Sequence, residues 1–286
     1  MFKRIALITN STAANVKETL NSVIRFLLSL NIELELEQNC SLITEYKSLP
    51  VVKDAELGAN SDLVIAIGGD GTMLKATHLA CRHNIPLLGI NRGRLGFLAD
   101  IPADNFQQHI EDILAGNFAE DERFLLHSEA YRNGKKLKEM DALNDVILHK
   151  WNTERLVEFE TYVDDTFVHR QRSDGIIVST PTGSTAYALS GGGPILYPSL
   201  NALVLVPICP HSLTNRPLVI NANSVVEIVV GNRDIDHARL TCDSEIVLEL
   251  EPGDRVMIKK KNQTIRLIHP AGHDHFSILR AKLNWG

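Results

Sequence analysis

The chain has 286 residues with ordinary contents of hydrophobic (44%) and charged (22%) residues, and its length predicts two domains. A net charge of −6 excludes a surface that attracts nucleic acid as a whole, and no apolar run approaches the roughly 18 residues that span a bilayer. The first apolar run is too short for a signal peptide, and the four cysteines form no C-x-x-C pair. We therefore expect a cytoplasmic protein with no nucleic-acid or membrane partner.

The first third of the sequence, residues 1–122, alternates between strand and helix patterns. A buried strand at Ile5–Ile8 precedes an amphipathic helix at about 15–30 and a half-exposed strand at 32–37. The apolar run 63–67 stops at a glycine turn, which a helix and a further strand at 86–90 follow. Strand, turn, helix and strand form a βαβ unit, which predicts an α/β domain whose parallel sheet is covered on both faces.

Residues 123–271 change to short β-branched runs separated by Asn, Asp, Gly and Pro. This pattern predicts an all-β, sandwich-like domain with one short helix near Ser184. The basic stretch 259–262 is interpreted as a hairpin tip. The tail 272–286 carries several large apolar side chains, and we expect it to return to the first domain.

The glycine turn comprises Gly68, Gly69, Asp70, Gly71 and Thr72. Glycines let the backbone approach a ligand closely, and free amides at a helix N-terminus bind phosphate, so we expect Gly68, Gly69, Gly71 and Thr72 to hold phosphates. An aspartate at this position would repel phosphate, so its presence indicates that the negative charge has a function. The natural function is that of a general base on an attacking hydroxyl. The alternative is that Asp70 only caps the helix.

A second polar stretch, 180–194, is rich in hydroxyls and glycine and includes Tyr187, whose ring can stack on a base. Asn144 and Asp145 precede a predicted strand and can bind ribose hydroxyls. The alternative for each segment is a loop of turn-forming residues. Arg92 and Arg94, in a loop after a sheet strand, are candidates to meet phosphate. The triplet 273–275 is interpreted as surface polar residues rather than a metal site.

Together, five segments resemble the successive motifs of bacterial ATP-NAD kinases, in order and at similar spacing: 68–72, 89–98, 144–145, 173–175 and 180–194. The resemblance implies a Rossmann-like N-terminal domain, a β-sandwich C-terminal domain and assembly as a homodimer or homotetramer. It implies phosphoryl transfer from ATP, with Mg²⁺, to the adenosine-ribose 2′-hydroxyl of NAD, giving NADP. No side chain is predicted to bind the metal directly.

By the same resemblance Asp70 is the catalytic base, and Asp174 binds the nicotinamide amide. The NAD-binding residues that it implies are Asp70, Gly71, Asn144, Asp145, Arg155, Arg172, Asp174, Thr185, Ala186, Tyr187, Ala188, Leu189, Ser190 and Glu245. Two positions depart from the family's common pattern: Asp145, where Glu is more frequent, and the segment 242–245 around Glu245. Alternative functions are a lipid kinase of the diacylglycerol or sphingoid type, which shares the glycine turn, and a non-catalytic NAD-binding sensor.

Overall fold

The computed structural model describes residues 2–10, 12–93, 96–152, 154–233 and 237–285. The chain divides into two compact units, an α/β unit (1–122 and 264–286) and a β unit (123–263). None of the helices described is both long and apolar enough to cross a membrane.

The α/β unit begins with alternating strands and helices. These are β1 (Arg4–Ile8), α1 (Ala14–Ser29), β2 (Glu33–Glu37), α2 (Gln38–Ile43), β3 (Val51–Val52), a 3-10 turn (Asp54–Glu56), β4 (Leu63–Ile67), α3 (Asp70–Arg82), β5 (Leu87–Asn91), β6 (Ile101–Pro102) and α4 (Phe106–Leu114). The remaining elements are mostly strands. They are β7 (Phe118–Arg132), β8 (Lys135–Ala142), β9 (Asp145–Lys150), β10 (Val157–Val163), β11 (Thr166–Ser173), β12 (Gly175–Ser179), a 3-10 turn (Gly183–Thr185), α5 (Tyr187–Ser190), β13 (Ala202–Ile208), β14 (Leu218–Asn221), β15 (Val226–Val230), β16 (Ala238–Cys242), β17 (Glu245–Leu250), β18 (Arg255–Pro270) and α6 (His275–Leu283).

The sheet of the α/β unit is parallel, with strand order β5-β4-β1-β2-β3, the end of β18 beside β5, and β6 also paired with β5. Every residue of β4 and β5 is buried, as the uninterrupted apolar runs predict for strands covered on both faces. One face packs against α1 and α4 through side chains such as Leu20, Ile24 and Ile110. The carboxyl ends of β4 and β5 carry the glycine turn and the 92–98 loop.

The β unit is a sandwich of two mainly antiparallel sheets around one core. One sheet has the order β14-β13-β12-β9-β16-β17, and the other contains β11-β10-β15-β18, with β7 paired to β18 and β8. The core joins both, for example Val146 and Ile176 of the first sheet with Phe159 and Val256 of the second. The α/β plus β-sandwich fold predicted from the sequence is confirmed.

Two local predictions differ from the structure, and two helices were not predicted. Residues 259–262 lie inside the continuous strand β18 and form no hairpin tip. All four side chains of the basic stretch are exposed or half-buried, so the lysine charges stay in contact with solvent and do not interrupt the strand. Strand β2, predicted half-exposed, is largely buried because its inward carboxylates have partners: Glu35 accepts from the Gly58 amide, and Glu37 pairs with Lys75. Helices α2 and α4 were not predicted.

Candidate functional site

The glycine turn joins β4 to α3 in the tight form that its sequence predicts. A side chain at Gly68 would place Cβ 2.2 Å from Thr72 Oγ1, so only glycine fits there. Gly69 and Gly71 are exposed, with open space where a Cβ would lie. In the part of the chain that the structure describes, no acceptor lies within hydrogen-bond distance of the amides of residues 69–71. These amides are free to bind an anion at the start of the helix.

Asp70 is the first residue of α3 and does not cap it, because the cap position is Gly69. The half-buried Asp70 carboxylate instead accepts hydrogen bonds from three consecutive amides: Phe97 at 3.0 Å, Leu98 at 3.1 Å and Ala99 at 3.4 Å. The alternative of a helix cap is therefore wrong. Since a carboxylate offers about four lone-pair positions, about one remains for a ligand hydroxyl.

The loop that supplies these amides depends on two further residues. A Cβ at Gly96 would lie 2.2 Å from Asp70 Oδ1, so glycine is required for the close approach. Asn91 Nδ2 donates to the Ala99 carbonyl at 3.2 Å, and Asn91 Oδ1 accepts from the Gly93 amide at 2.8 Å. The sequence contained both residues in the 89–98 motif, but nothing in the motif indicated that the loop holds Asp70.

Arg92 lines a cavity of about 140 Å³, together with Asn91, Gly93 and residues 102–104. Its Nε is buried without a hydrogen-bond partner among the described residues. Arg94, the other cation that the sequence suggested for phosphate, lies outside the described residues.

In the β unit, Asn144 and Asp145 lie at the start of β9 beside Asp243. Asp243 occupies the turn between β16 and β17 with φ of 47° and accepts from the amides of Leu143, Asn144 and Asp145 at 2.7, 2.7 and 3.3 Å. The sequence indicated only a turn at Asp243. The turn residue also fixes the backbone of the predicted ribose-binding pair.

The Asp145 carboxyl is buried (4% exposed) and accepts no hydrogen bond from the residues described. Burial, followed by the nearby negative charge of Asp243, raises the pKa of Asp145 to about 7. The physical reason is that Asp243 receives the amide donors, whereas ionised Asp145 has no donor among the described residues and little exposure to solvent. A carboxyl that titrates near neutral pH is typical of a functional site.

The hydroxyls of residues 180–185 mainly stabilise the fold. Thr180 Oγ1 donates to the Leu143 carbonyl at 2.6 Å and accepts from the Gly183 amide at 3.1 Å. Ser184 Oγ accepts from the Leu196 amide at 2.9 Å. A Cβ at Gly183 would lie 2.2 Å from the Asn144 carbonyl oxygen, so this loop packs directly on the predicted ribose-binding pair.

The next residues of the stretch differ in accessibility. Tyr187 and Ser190 are exposed, Thr185, Ala186 and Leu189 are half-buried, and Ala188 is fully buried in a small core with Ile147 and Val206. Ala188 is therefore the least accessible of these residues, and its carbonyl accepts from the Gly193 amide at 2.9 Å. The exposed ring of Tyr187 retains the stacking face that the sequence suggested.

The remaining predicted NAD-binding residues lie at strand ends and in loops of the β unit. Asp174 pairs with Lys150 at 2.8 Å, and the exposed Arg172 lies 3.4 Å from Glu158. Arg155 and Glu245 are exposed. The ion pair with Lys150 holds Asp174 in place.

In the described part of the chain, two clusters each place three potential metal-ligand atoms within 4.8 Å of one another. The first contains Asp100, His269 and His273, and the second contains His127, Glu129 and Glu139. Neither includes a residue of the glycine turn. The first cluster shows that the surface interpretation of 273–275 was wrong. His273 bonds to Asp100, Asp274 caps α6 and His275 is buried.

The α/β unit carries an oriented carboxylate in a glycine turn, and the β sandwich carries the polar stretch 180–194. These features are typical of a two-domain phosphotransferase. Residues 5–118 match the ATP-NAD kinase N-terminal domain, and residues 143–270 match the ATP-NAD kinase C-terminal domain. The chain belongs to the NAD kinase family.

Relatives match over the full length. The NAD kinase of Nitrosococcus oceani is 46% identical over 285 residues, which are 100% of this chain and 97% of the relative. The NAD kinase of Chromohalobacter salexigens is 42% identical over 284 residues, which are 99% of this chain and 97% of the relative.

Two solved structures share the fold at low identity. Yeast NADH kinase complexed with NADH has a TM-score of 0.87 at 21% identity, covering 99% of this chain and 88% of that one. An NAD kinase from Archaeoglobus fulgidus in complex with ATP has a TM-score of 0.75 at 23% identity, covering 99% of this chain and 100% of that one.

Proposed function

We propose that this enzyme transfers the γ-phosphoryl group of ATP to the 2′-hydroxyl of the adenosine ribose of NAD, giving NADP and ADP. Membership of the NAD kinase family over both domains supports the reaction. The observation on this chain that carries the proposal is the Asp70 carboxylate, which three amides orient beside the amides of residues 69–71, which donate to no backbone carbonyl among the described residues.

In the proposed mechanism Asp70 accepts the proton of the 2′-hydroxyl as its oxygen attacks the γ-phosphorus. The bond from the 2′-oxygen to phosphorus forms, the bond from phosphorus to the bridging oxygen breaks, and ADP leaves with that electron pair. The amides of residues 97–99 keep the carboxylate fixed, so little reorganisation is needed during proton transfer. General-base catalysis of this kind contributes about 10²–10⁴-fold to the rate.

The phosphates of ATP are proposed to lie on Gly68, Gly69, Gly71 and Thr72. The donors would be the amides of residues 69–71, aided by the positive end of α3. The amides of Gly68 and Thr72 already donate to the carbonyls of Ile90 and Gly69, so these two residues would shape the turn and supply no amide to the phosphates. Among the described residues the turn offers a single carboxylate, that of Asp70, so a Mg²⁺ ion would arrive with the nucleotide. When bound, it would supply neutralisation of the charge on the transferring phosphoryl group.

NAD recognition is assigned to the β unit, in roles that the family resemblance implies. Asn144 and Asp145 would bind ribose or adenine groups, Asp174 the nicotinamide amide, and Tyr187 the adenine ring. The other proposed contacts are Gly71, Arg155, Arg172, Thr185, Ala186, Ala188, Leu189, Ser190 and Glu245. The raised pKa of Asp145, to about 7, supports its place in a ligand site.

The proposed enzyme works in the cytoplasm as a homodimer or homotetramer. The family resemblance supports this assembly and location.

The test is a coupled assay with ATP, NAD and Mg²⁺, in which an NADP-specific dehydrogenase detects the product. Asp70→Asn is expected to lower kcat by about 10²–10⁴-fold and to leave NAD affinity within a few-fold. Glu111→Gln, which changes an exposed carboxylate on α4 of the same unit, is the control and is expected to retain full activity.

Undiminished turnover of Asp70→Asn would remove the base role. Well-folded wild-type protein that makes no NADP would contradict the proposal. Phosphorylation of a lipid would then support the lipid-kinase alternative, and NAD binding without turnover would support the sensor. Relatives that are NAD kinases over the whole chain favour neither alternative.

A further inference from the structure

Three side chains of the α/β unit form a buried cluster outside the glycine turn. Asp100 Oδ2 accepts hydrogen bonds from His269 Nδ1 at 2.9 Å and from His273 Nδ1 at 2.8 Å. The two imidazole rings stack with centroids 3.9 Å apart and an interplanar angle of 22°. The His269 side chain is 1% exposed and that of Asp100 is 9% exposed. The cluster thus ties the end of β18 and the following loop to the residue just ahead of β6.

The Asp100 carboxylate is the anchor of this cluster. Burial by itself would raise the pKa of Asp100, but the hydrogen bonds from His269 and His273 outweigh it and hold the pKa at about 2. Asp100 is therefore ionised at any working pH and accepts from both rings. A metal ion would need to lie in the plane of each ligating ring, which two stacked rings cannot provide. The geometry fits a hydrogen-bonded clamp and not a metal site.

Asp100 directly follows the three residues whose amides hold Asp70. The intervening backbone is short and well tied, since the Ala99 carbonyl accepts from both the Gly96 amide and Asn91 Nδ2 at 3.2 Å. At the other end of the segment, Lys282 of α6 places Nζ 5.4 Å from the Phe97 ring centroid. The C-terminal part of the chain therefore touches both ends of segment 97–100.

We propose that Asp100, His269 and His273 are positioning residues for Asp70. The two histidines fix Asp100, which fixes the 97–99 amides, and these orient the carboxylate that accepts the proton. The inference rests on the proposed function of Asp70, but the clamp itself can be measured without activity. Through this clamp the C-terminal segment of the chain helps to orient the proposed base, a role that its sequence does not suggest.

The experiment compares two changes at His273. Phenylalanine keeps a ring of similar size but has no donor, whereas asparagine carries an N–H donor at the position equivalent to Nδ1. His109→Phe, on α4, is the matched control, since the His109 side chain makes no hydrogen bond to any residue described. Each full-length variant is examined by steady-state kinetics and by amide hydrogen exchange of a peptide covering residues 96–101.

His273→Phe is expected to lower kcat by about 10- to 100-fold with KM for NAD within about twofold, because only the orientation of the base is disturbed. Exchange in residues 96–101 should accelerate by about tenfold. His273→Asn should restore most of both properties, and His109→Phe should change neither. If His273→Phe does not fold, Asp100→Asn, which keeps the shape without the charge, is judged by the same criteria.

Unchanged exchange in residues 96–101 would overturn the proposal, as would an Asn variant that is as impaired as the Phe variant. Loss of activity without faster exchange would also contradict it, because the effect would then not pass through the segment. If the wild type made no NADP, the proposed function would fail, and the exchange result would still decide whether the clamp exists.

Discussion

Asp145 allows a quantitative prediction, because the structure buries its carboxyl beside Asp243 without a hydrogen-bond donor among the residues described. Replacing Asp145 with Asn keeps the shape and removes the charge. The amide can also donate to the Asp243 carboxylate, which the aspartate cannot do once it is ionised. We expect Asp145→Asn to stabilise the β unit at alkaline pH.

The magnitude follows from the pKa of Asp145, which burial and Asp243 raise from 3.8 to about 7. The folded protein therefore binds more protons than the unfolded chain between those values, and its stability falls as the pH rises from about 4 to about 7. A difference of about three pKa units corresponds to roughly 4 kcal/mol at pH 8. Since the buried amide has its own desolvation cost, the expected gain from Asp145→Asn is about 2–4 kcal/mol.

The assay is urea unfolding at pH 5 and pH 8, followed by tryptophan fluorescence. A Trp285→Phe background leaves Trp151, in the β unit, as the only tryptophan. Asp165→Asn, an exposed aspartate in the turn after β10, is the matched control and should leave the pH dependence unchanged. The reasoning would be refuted if Asp145→Asn were less stable than wild type at pH 8, or if both had the same difference between pH 5 and pH 8.

Three further predictions follow from the same geometry. Gly96→Ala places Cβ 2.2 Å from Asp70 Oδ1 and should lower kcat by at least about tenfold. Gly93→Ala, where the space for a Cβ is open, should leave kcat unchanged. Equal kcat values for the two variants would contradict the clash. If ionised Asp145 accepts a ribose hydroxyl, NAD binding at pH 7 should release about half a proton, measured by calorimetry in two buffers, and none in Asp145→Asn. Thr180→Val removes a buried hydroxyl that both donates and accepts, and should destabilise the β unit by about 1–3 kcal/mol in urea unfolding; an unchanged midpoint would argue against it.

The parts of the fold that could be predicted are those in which neighbouring residues determine the structure. The apolar run at 63–67, its glycine stop and the following helical spacing are a local signal, and the structure contains β4, the turn and α3 in that order. The short β-branched runs of the second half similarly predicted a sandwich. Helix α4 was missed, although its apolar residues at 106, 110 and 113 have helical spacing.

The contacts that orient the candidate site could not be predicted, because they join residues far apart in the chain. His269 and His273 reach Asp100 across 169 and 173 positions, and Asp243 reaches Leu143 across 100. No partner for His273 lies close to it in the sequence, and for that reason 273–275 was interpreted as surface polar residues. Only the topology, which places the end of β18 next to β5, brings His269 to its partner.

The hydrogen-bond donors around Asp70 in the α/β unit and around Asp145 in the β unit decide what each carboxylate can do. Asp70 receives three amides and is held as an oriented acceptor, while Asp145 receives none among the described residues because Asp243 takes the neighbouring amides. Two aspartates that look alike as sequence letters therefore have opposite electrostatic environments. A fixed acceptor suits proton abstraction, and a carboxyl that titrates near pH 7 can change its hydrogen bonding when a ligand arrives. The backbone donors around a carboxylate, and not the motif alone, distinguish the two roles.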